Sequence, residues 1–280
     1  MSEPAAVDSR AGMGRSVYRG AFWLELAASW RSPEFWALSS WLEILAKARK
    51  SRFGLLWLLA PSIVYIFGLG SFFAGMQGRS IYQFAAHIAL GAMVFRTVIS
   101  AVINSAGVFS SNVSFIMDGH VRLTDYLMQS LAKALFDMCM YLPATIVAVV
   151  MFRDVHWTGL LLAPLSLALI FINGLWMGTI FALIGARFND LGQLVSNISI
   201  FLFLLTPIIW YPEQMPADNF RGQFMRFNPF FHLVTIFRAP ILGEPVGLST
   251  LVYVGVMTVV GLVAATFLYR RYARFVPLWI

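Results

Sequence analysis

Charge is what this chain of 280 residues has least of. Asp, Glu, Lys and Arg make up 12% of it, against roughly 25% in soluble domains, which leaves almost nothing from which to build a water-exposed domain. Cysteine is nearly absent: Cys139 stands alone in an apolar run, so it makes no intrachain disulfide and nominates no metal site. No GxxxxGK[ST] loop is present, so the chain does not itself bind ATP in that manner. No HExxH pair or Cys/His cluster nominates a metal, and His87, His120, His156 and His232 are scattered over separate connections or run ends. The thirteen acids are dispersed, whereas an enzyme working on lipid-linked sugars needs acids or histidines gathered at a membrane face. No metal and no cofactor is expected on this chain.

What is abundant is apolar surface. Hydrophobic residues make up 59% and aromatic ones 15%, the composition of an all-α, multi-pass membrane protein. Six apolar runs are near or above the roughly 20 residues that cross a bilayer: about 53–76, 81–111, 127–152, 159–185, 192–211 and 247–269. Fourteen Lys and Arg fall before Phe53, in 112–133 and 186–191, or after Tyr269. Five (Arg79, Arg153, Arg221, Arg226 and Arg238) fall in the opposite connections. The positive-inside rule then puts both termini in the cytoplasm. The net charge of +7 is read as orienting the chain and touching anionic headgroups, with no nucleic acid involved.

Residues 1–31 form a mixed, basic segment in which Arg10, Arg15 and Arg19 are followed by no clean apolar core, so a cleavable signal is not expected. Ser32-Pro33-Glu34 is a helix start. From 32 to 52, Leu38, Trp41, Leu42 and Leu45 share a stripe and Glu43 and Lys47 stand four apart on another face. This reads as an amphipathic helix in the membrane interface. The connection 112–126, NVSFIMDGHVRLTDY, interleaves Asn112, Asp118, His120, Arg122 and Asp125 with Phe115 and Ile116; that pattern suits docking into a groove on a partner.

Two charges are embedded, Arg96 in the second run and Asp137 in the third. At about 1.5 Å per residue they lie within roughly 10 Å in depth, so they either pair or snorkel apart. Between Tyr211 and Gly243 the chain is too polar to span and too aromatic for an ordinary loop, with Pro212, Pro216, Pro229 and Pro240 at intervals. Short helices dipping back into the outer leaflet are expected there. Pro216, Arg221, Arg226, Asn228, Pro229 and Arg238 are candidates for an outer gate. The arginines either hold anionic groups of a substrate or cap the short helices and pair with Glu213, Asp218 and Glu244.

Three stretches carry a resemblance. Lys47-Ala48-Arg49-Lys50-Ser51-Arg52-Phe53-Gly54 running to Trp57 and Pro61 is similar to a basic-helix-to-first-span signature. Gly185-Ala186-Arg187-Phe188-Asn189-Asp190-Leu191 is similar to a fourth-to-fifth connection. Thr206-Pro207-Ile208, Tyr211-Pro212, Met215-Pro216, Asn228-Pro229 and Arg238 are similar to a fifth span and outer loop. Together, over about residues 35–272, they resemble the membrane subunit of ABC-2 type transporters, in the branch exporting bacterial surface polysaccharides such as O-antigen, capsule or teichoic acid. Where that family often has a Lys and a Phe-Pro pair, this chain has Met117-Asp118-Gly119-His120, so the coupling segment rests on position and topology.

The resemblance implies a homodimer in the bacterial inner membrane, six spans per chain over 53–272, and a cytoplasmic tail at 273–280. Two copies of a separate ATPase chain dock beneath and bind the ATP. A lipid-linked glycan enters near the interfacial helix and leaves along the dimer axis, among membrane lipids. Tyr65, Phe72, Phe73, Arg96, Phe109, Trp176, Phe203, Trp210 and Tyr211 are candidates for the path, the aromatic ones because sugars stack on rings, although the more ordinary role of any one ring is lipid-facing anchoring or core packing. The alternative is an ABC-2 permease for a smaller hydrophobic or drug-like substrate.

Overall fold

A computed structural model describes residues 21–49, 56–119, 121–152, 155–216 and 218–280. Residues 1–20 of the basic segment, Lys50, Ser51, Arg52, Phe53 and Gly54 of the first signature, His120 and Arg153 lie outside the described residues, as does the Lys47 side chain.

Among the described residues the structure is helical, with no strand. α1 (Phe22–Arg31) and α2 (Glu34–Arg49) meet at Ser32-Pro33, and Glu34 sits in the first turn of α2, where the helix dipole favours an acid. α3 (Leu56–Ile63), a π-turn over Val64–Leu69 and α4 (Gly70–Gln77) follow one another and stop at Gly78, whose φ of 62° is left-handed. α5 (Ile81–Ala106) is capped by Ser80, whose hydroxyl accepts from the Gln83 N–H. A 3-10 turn (Ser110–Asn112) and α6 (Val113–Met117) lead to α7 (Leu123–Phe152), α8 (Trp157–Arg187) and α9 (Leu191–Leu205). α10 (Phe220–Phe227), α11 (Pro229–Leu242), α12 (Leu248–Tyr272) and α13 (Val276–Trp279) complete the chain.

Among the described residues, five stretches are long and apolar enough to cross a membrane: Leu59–Gln77, Ile81–Ala106, Leu123–Phe152, Trp157–Arg187 and Leu248–Trp279. α9, in the fifth apolar run, has 15 residues, about 22 Å of helix against roughly 30 Å of bilayer core. Thr206–Tyr211 continue it as irregular chain.

α5 is the buried centre, packed by α7, α8, α9 and α11. Its small residues make that possible. Gly174, Gly178 and Gly185 of α8 lie against Ala101, Ser105 and Ala106 of α5, and a Cβ on Gly185 would overlap the Ala106 carbonyl; small residues let helix backbones close up in this way. Both described chain ends meet at one end of the bundle. Phe22 packs on Tyr269 with ring centroids 5.1 Å apart, and the Tyr269 hydroxyl donates to Glu25 at 2.6 Å.

α2 lies along the first half of α7. Gln129 donates to Ser39 at 2.8 Å and to Glu43 at 2.9 Å, and Lys133 pairs with Glu43 at 2.6 Å. Glu43 thus finds its cation on another helix. Leu38, Trp41 and Leu42 point away, exposed.

Candidate functional site

A groove of about 440 Å³ opens between α3, the π-turn, α5, α7 and α9. Pro61, inside α3, cannot donate to the helix ladder, and the π-turn that follows carries Tyr65 into the groove. π-turns frequently mark functional positions. Phe95, Arg96, Ser100 and Asn104 face it from α5, Asp137, Met140 and Tyr141 from α7, Ser199 and Phe203 from α9.

The two embedded charges share this groove without pairing. Arg96 lies over the Tyr65 ring at 4.4 Å from its centroid and 5.6 Å from that of Tyr141, contacts worth roughly 0.5–2 kcal/mol each. Asp137 accepts instead from the Ser100 hydroxyl, and Ser100 accepts from the Asn104 amide at 3.0 Å. Lys133–Glu43 is the one ion pair among the described residues. Ser100 is four residues beyond Arg96 and Tyr141 four beyond Asp137, so the carboxylate sits one helix turn, about 6 Å, nearer the end holding the chain termini.

At that end, α6 presents Phe115 and Met117, each 56% exposed, with Asp118 exposed beyond them, while Ile116 is buried. Arg122 and Asp125 are built into the fold. The Arg122 N–H donates to the buried Asp125 carboxylate at 3.0 Å, and the Arg122 guanidinium donates to Ser32 at 3.0 Å. Asn112 donates to the Val108 carbonyl at 2.8 Å. Phe115, Met117 and Asp118 are thus the exposed side chains of this segment, while Ile116 and Asp125 are buried and Arg122 is bonded to Ser32.

At the other end, Arg238 is 1% exposed, donating to the Pro207 carbonyl at 2.6 Å and to His87 Nε2 at 3.0 Å. A guanidinium has no acceptor, so the imidazole lone pair takes that bond. Gly91 leaves the space: a Cβ there would touch both Arg238 and Ile208. Arg226 donates to the Gly222 carbonyl at 2.9 Å, capping its short helix. Asn228 accepts from the Phe230 N–H at 3.0 Å and donates to Thr206 at 2.8 Å, with Pro229 at the first position of α11. Arg221 and Pro216 are exposed. Of the three arginines considered for anionic groups, Arg238 is thus the one buried and hydrogen-bonded within the fold. Burial raises the Glu244 carboxyl above the usual range, with Arg238 pulling the other way.

The groove gathers Tyr65, Arg96 and Phe203 from the sequence-derived path and leaves out the rest. Trp176 donates to Asn173 at 2.8 Å and packs on Gly261 of α12. Phe109 is buried against Tyr126 near the chain termini. Tyr211 is buried beside His87 under the Arg79 guanidinium. Trp210 donates to the Leu204 carbonyl at 3.0 Å. Phe72 is exposed, and Phe73 packs on the hydrophobic core around α5. Sequence reading missed Phe95, Ser100, Asn104, Tyr141 and Ser199. The i,i+4 rows through Arg96 and Asp137 contain three of these, Ser100, Asn104 and Tyr141, and are the available signal.

Compared with known proteins, residues 34–242 match the model of a family described as ABC-2 type transporter. No curated protein matches the chain at a significant level.

Proposed function

The chain belongs to the ABC-2 type transporter family, and on that footing we propose that it is the membrane subunit of an exporter for lipid-linked polysaccharide of the O-antigen or capsule kind. Family membership makes it a transmembrane component of a transporter, of a kind that works with an ABC ATPase subunit. In this reading two copies form a homodimer in the bacterial inner membrane over two ATPase subunits, which bind the ATP. Both termini are cytoplasmic, α2 lies in the interface, α9 with 206–211 makes a sixth crossing, and 212–243 dips back from the outer face. Phe115, Met117 and Asp118 meet the ATPase.

The observation that carries the glycan over a small hydrophobic substrate is the groove's mixed lining. Tyr65, Phe95, Tyr141 and Phe203 offer rings to sugar faces, while Ser100, Asn104, Asp137 and Ser199 offer partners to hydroxyls, all within one groove. A pocket for an apolar drug has few polar groups.

The test is co-reconstitution of the chain with its ATPase in vesicles. A short lipid-linked glycan is expected to raise ATP hydrolysis and to become accessible to a glycosidase on the far side. Stimulation by a hydrophobic dye alone, with the glycan inert, overturns the reading in favour of a small-molecule exporter.

A further inference from the structure

Arg96 is a cation with unspent donors. Its contacts are two ring faces, Tyr65 and Tyr141; among the described residues no carboxylate pairs with it and no acceptor takes its N–H groups. A guanidinium carries five donors in a rigid fork that matches an oxyanion bidentately. A charge this deep is costly in an apolar segment and marks a functional position. Asp137 does not neutralise it, being held by Ser100.

The rest of the groove describes what accompanies the anion. Pro61, Ile99, Ile103 and Ile200 make an apolar wall beside Arg96, suited to a hydrocarbon chain. Asp137 repels an anion at its own level, one turn away, while accepting from hydroxyls. A ligand carrying one oxyanion, an apolar chain and hydroxyl groups therefore has a single register, with the oxyanion at Arg96.

We propose that Arg96 is the anchoring site for the phosphate group of an amphiphile lying in the groove, with the Tyr65 and Tyr141 rings fixing the guanidinium plane. This rests on the transporter reading for its purpose, though not for its geometry. The phosphate belongs either to the exported lipid-linked substrate or to a phospholipid of the surrounding bilayer.

The experiment uses the full chain in phosphatidylcholine nanodiscs and two photoreactive probes of equal length, a diazirine-bearing dodecyl phosphate and the corresponding alcohol. The phosphate probe is expected to label the segments holding Ile103 and Ile200 about tenfold more than the alcohol, the scale of one charged hydrogen bond. Arg96→Gln should bring the phosphate probe down to the alcohol's level, and Arg96→Lys should restore part of the difference. Asp137→Asn, which keeps Arg96, should increase phosphate labelling. Equal labelling by both probes, no change in Arg96→Gln, or a fall in Asp137→Asn overturns the site. Adding phosphatidylglycerol separates the sources: competition assigns the site to bilayer lipid, and unchanged labelling assigns it to the substrate headgroup. Because the readout needs no ATPase, phosphate labelling in a chain that assembles with none would overturn the exporter reading and leave this site standing.

Discussion

Arg238 and His87 form a buried hydrogen-bonded pair, Nη1 to Nε2 at 3.0 Å, with the Pro207 carbonyl completing the cluster at 2.6 Å. The pair ties α11 to α5 and to the irregular chain after α9. Helix α11 begins with Phe230 against Phe95, which lines the groove, and ends at Gly243 against His156. Arg238 thus fastens α11 to α5, the helix that carries Arg96 into the groove.

Arg238→Ala should therefore act on stability. It strands the Pro207 carbonyl in a closed interior and leaves His87 Nε2 only the Trp210 carbonyl at 3.2 Å, a loss of about 2–4 kcal/mol. Thermal unfolding in detergent should show a drop of several degrees. An unchanged melting temperature with weakened substrate binding would instead put Arg238 in contact with the substrate.

Glu244 gives a pH signature. Its raised pKa means the fold favours the protonated acid. That contribution is fully present below the unfolded value of about 4.3 and is lost as pH rises through the higher folded value. Glu244→Gln mimics the protonated form, so it should melt above the parent at pH 7.5, with the gap closing toward pH 4.5. A gap independent of pH would mean that ionisation of Glu244 is not its cause.

The segment between α5 and α7 divides into two kinds of residue. Asp125→Ala removes a helix-start acceptor for the Arg122 N–H and should cost about 1 kcal/mol in stability. Phe115→Ala and Asp118→Ala touch exposed side chains; they should leave the melting temperature alone and reduce co-purification of the ATPase severalfold. Equal retention of ATPase by all three variants would move the docking face elsewhere.

That division shows where sequence was informative. The long apolar runs and the start of α2 just after Pro33 follow from local chemistry, because length, charge and the fixed φ of proline act over a few residues. The groove does not. Asp137 shares it with Arg96 only because Ser100 binds the carboxylate, and Arg96 settles over Tyr65 only because a π-turn shifts that ring. Arg238 stands in a polar connection whose nearby acids suggest its partners, and its partner His87 is 151 positions away. Interhelical partners of this kind are set by packing, which one sequence does not display.

Close helix packing gives a further expectation. Gly185→Ala places a methyl group on the Ala106 carbonyl, and a helix backbone does not yield as a side-chain tip does. The cost should reach about 1–3 kcal/mol or more, read as a lower melting temperature and less folded protein. Gly255→Ala, in open space on α12, should be neutral. Equal effects would mean that the α5–α8 contact tolerates separation.

The last expectation concerns what moves with what. α1 and α2 are joined to α7 by polar bonds along their length: Ser29 to Thr124 at 2.7 Å, Ser32 to Arg122 at 3.0 Å, Gln129 to Ser39 and Glu43, and Lys133 to Glu43. Force applied at α6 reaches all three helices through Arg122 and should move them as one body. The oxygens of Ser29 and Thr124 both sit on Cβ, so their separation places the Cβ atoms within about 5.5 Å, near disulfide geometry. Ser29→Cys/Thr124→Cys in a Cys139→Ala background should cross-link under mild oxidation. A closed disulfide should leave ATPase coupling and export unchanged, because the joined helices have no need to separate. Loss of export on oxidation, restored by reductant, would show that α1 parts from α7 during the cycle, and α1 and α2 would then be a moving gate.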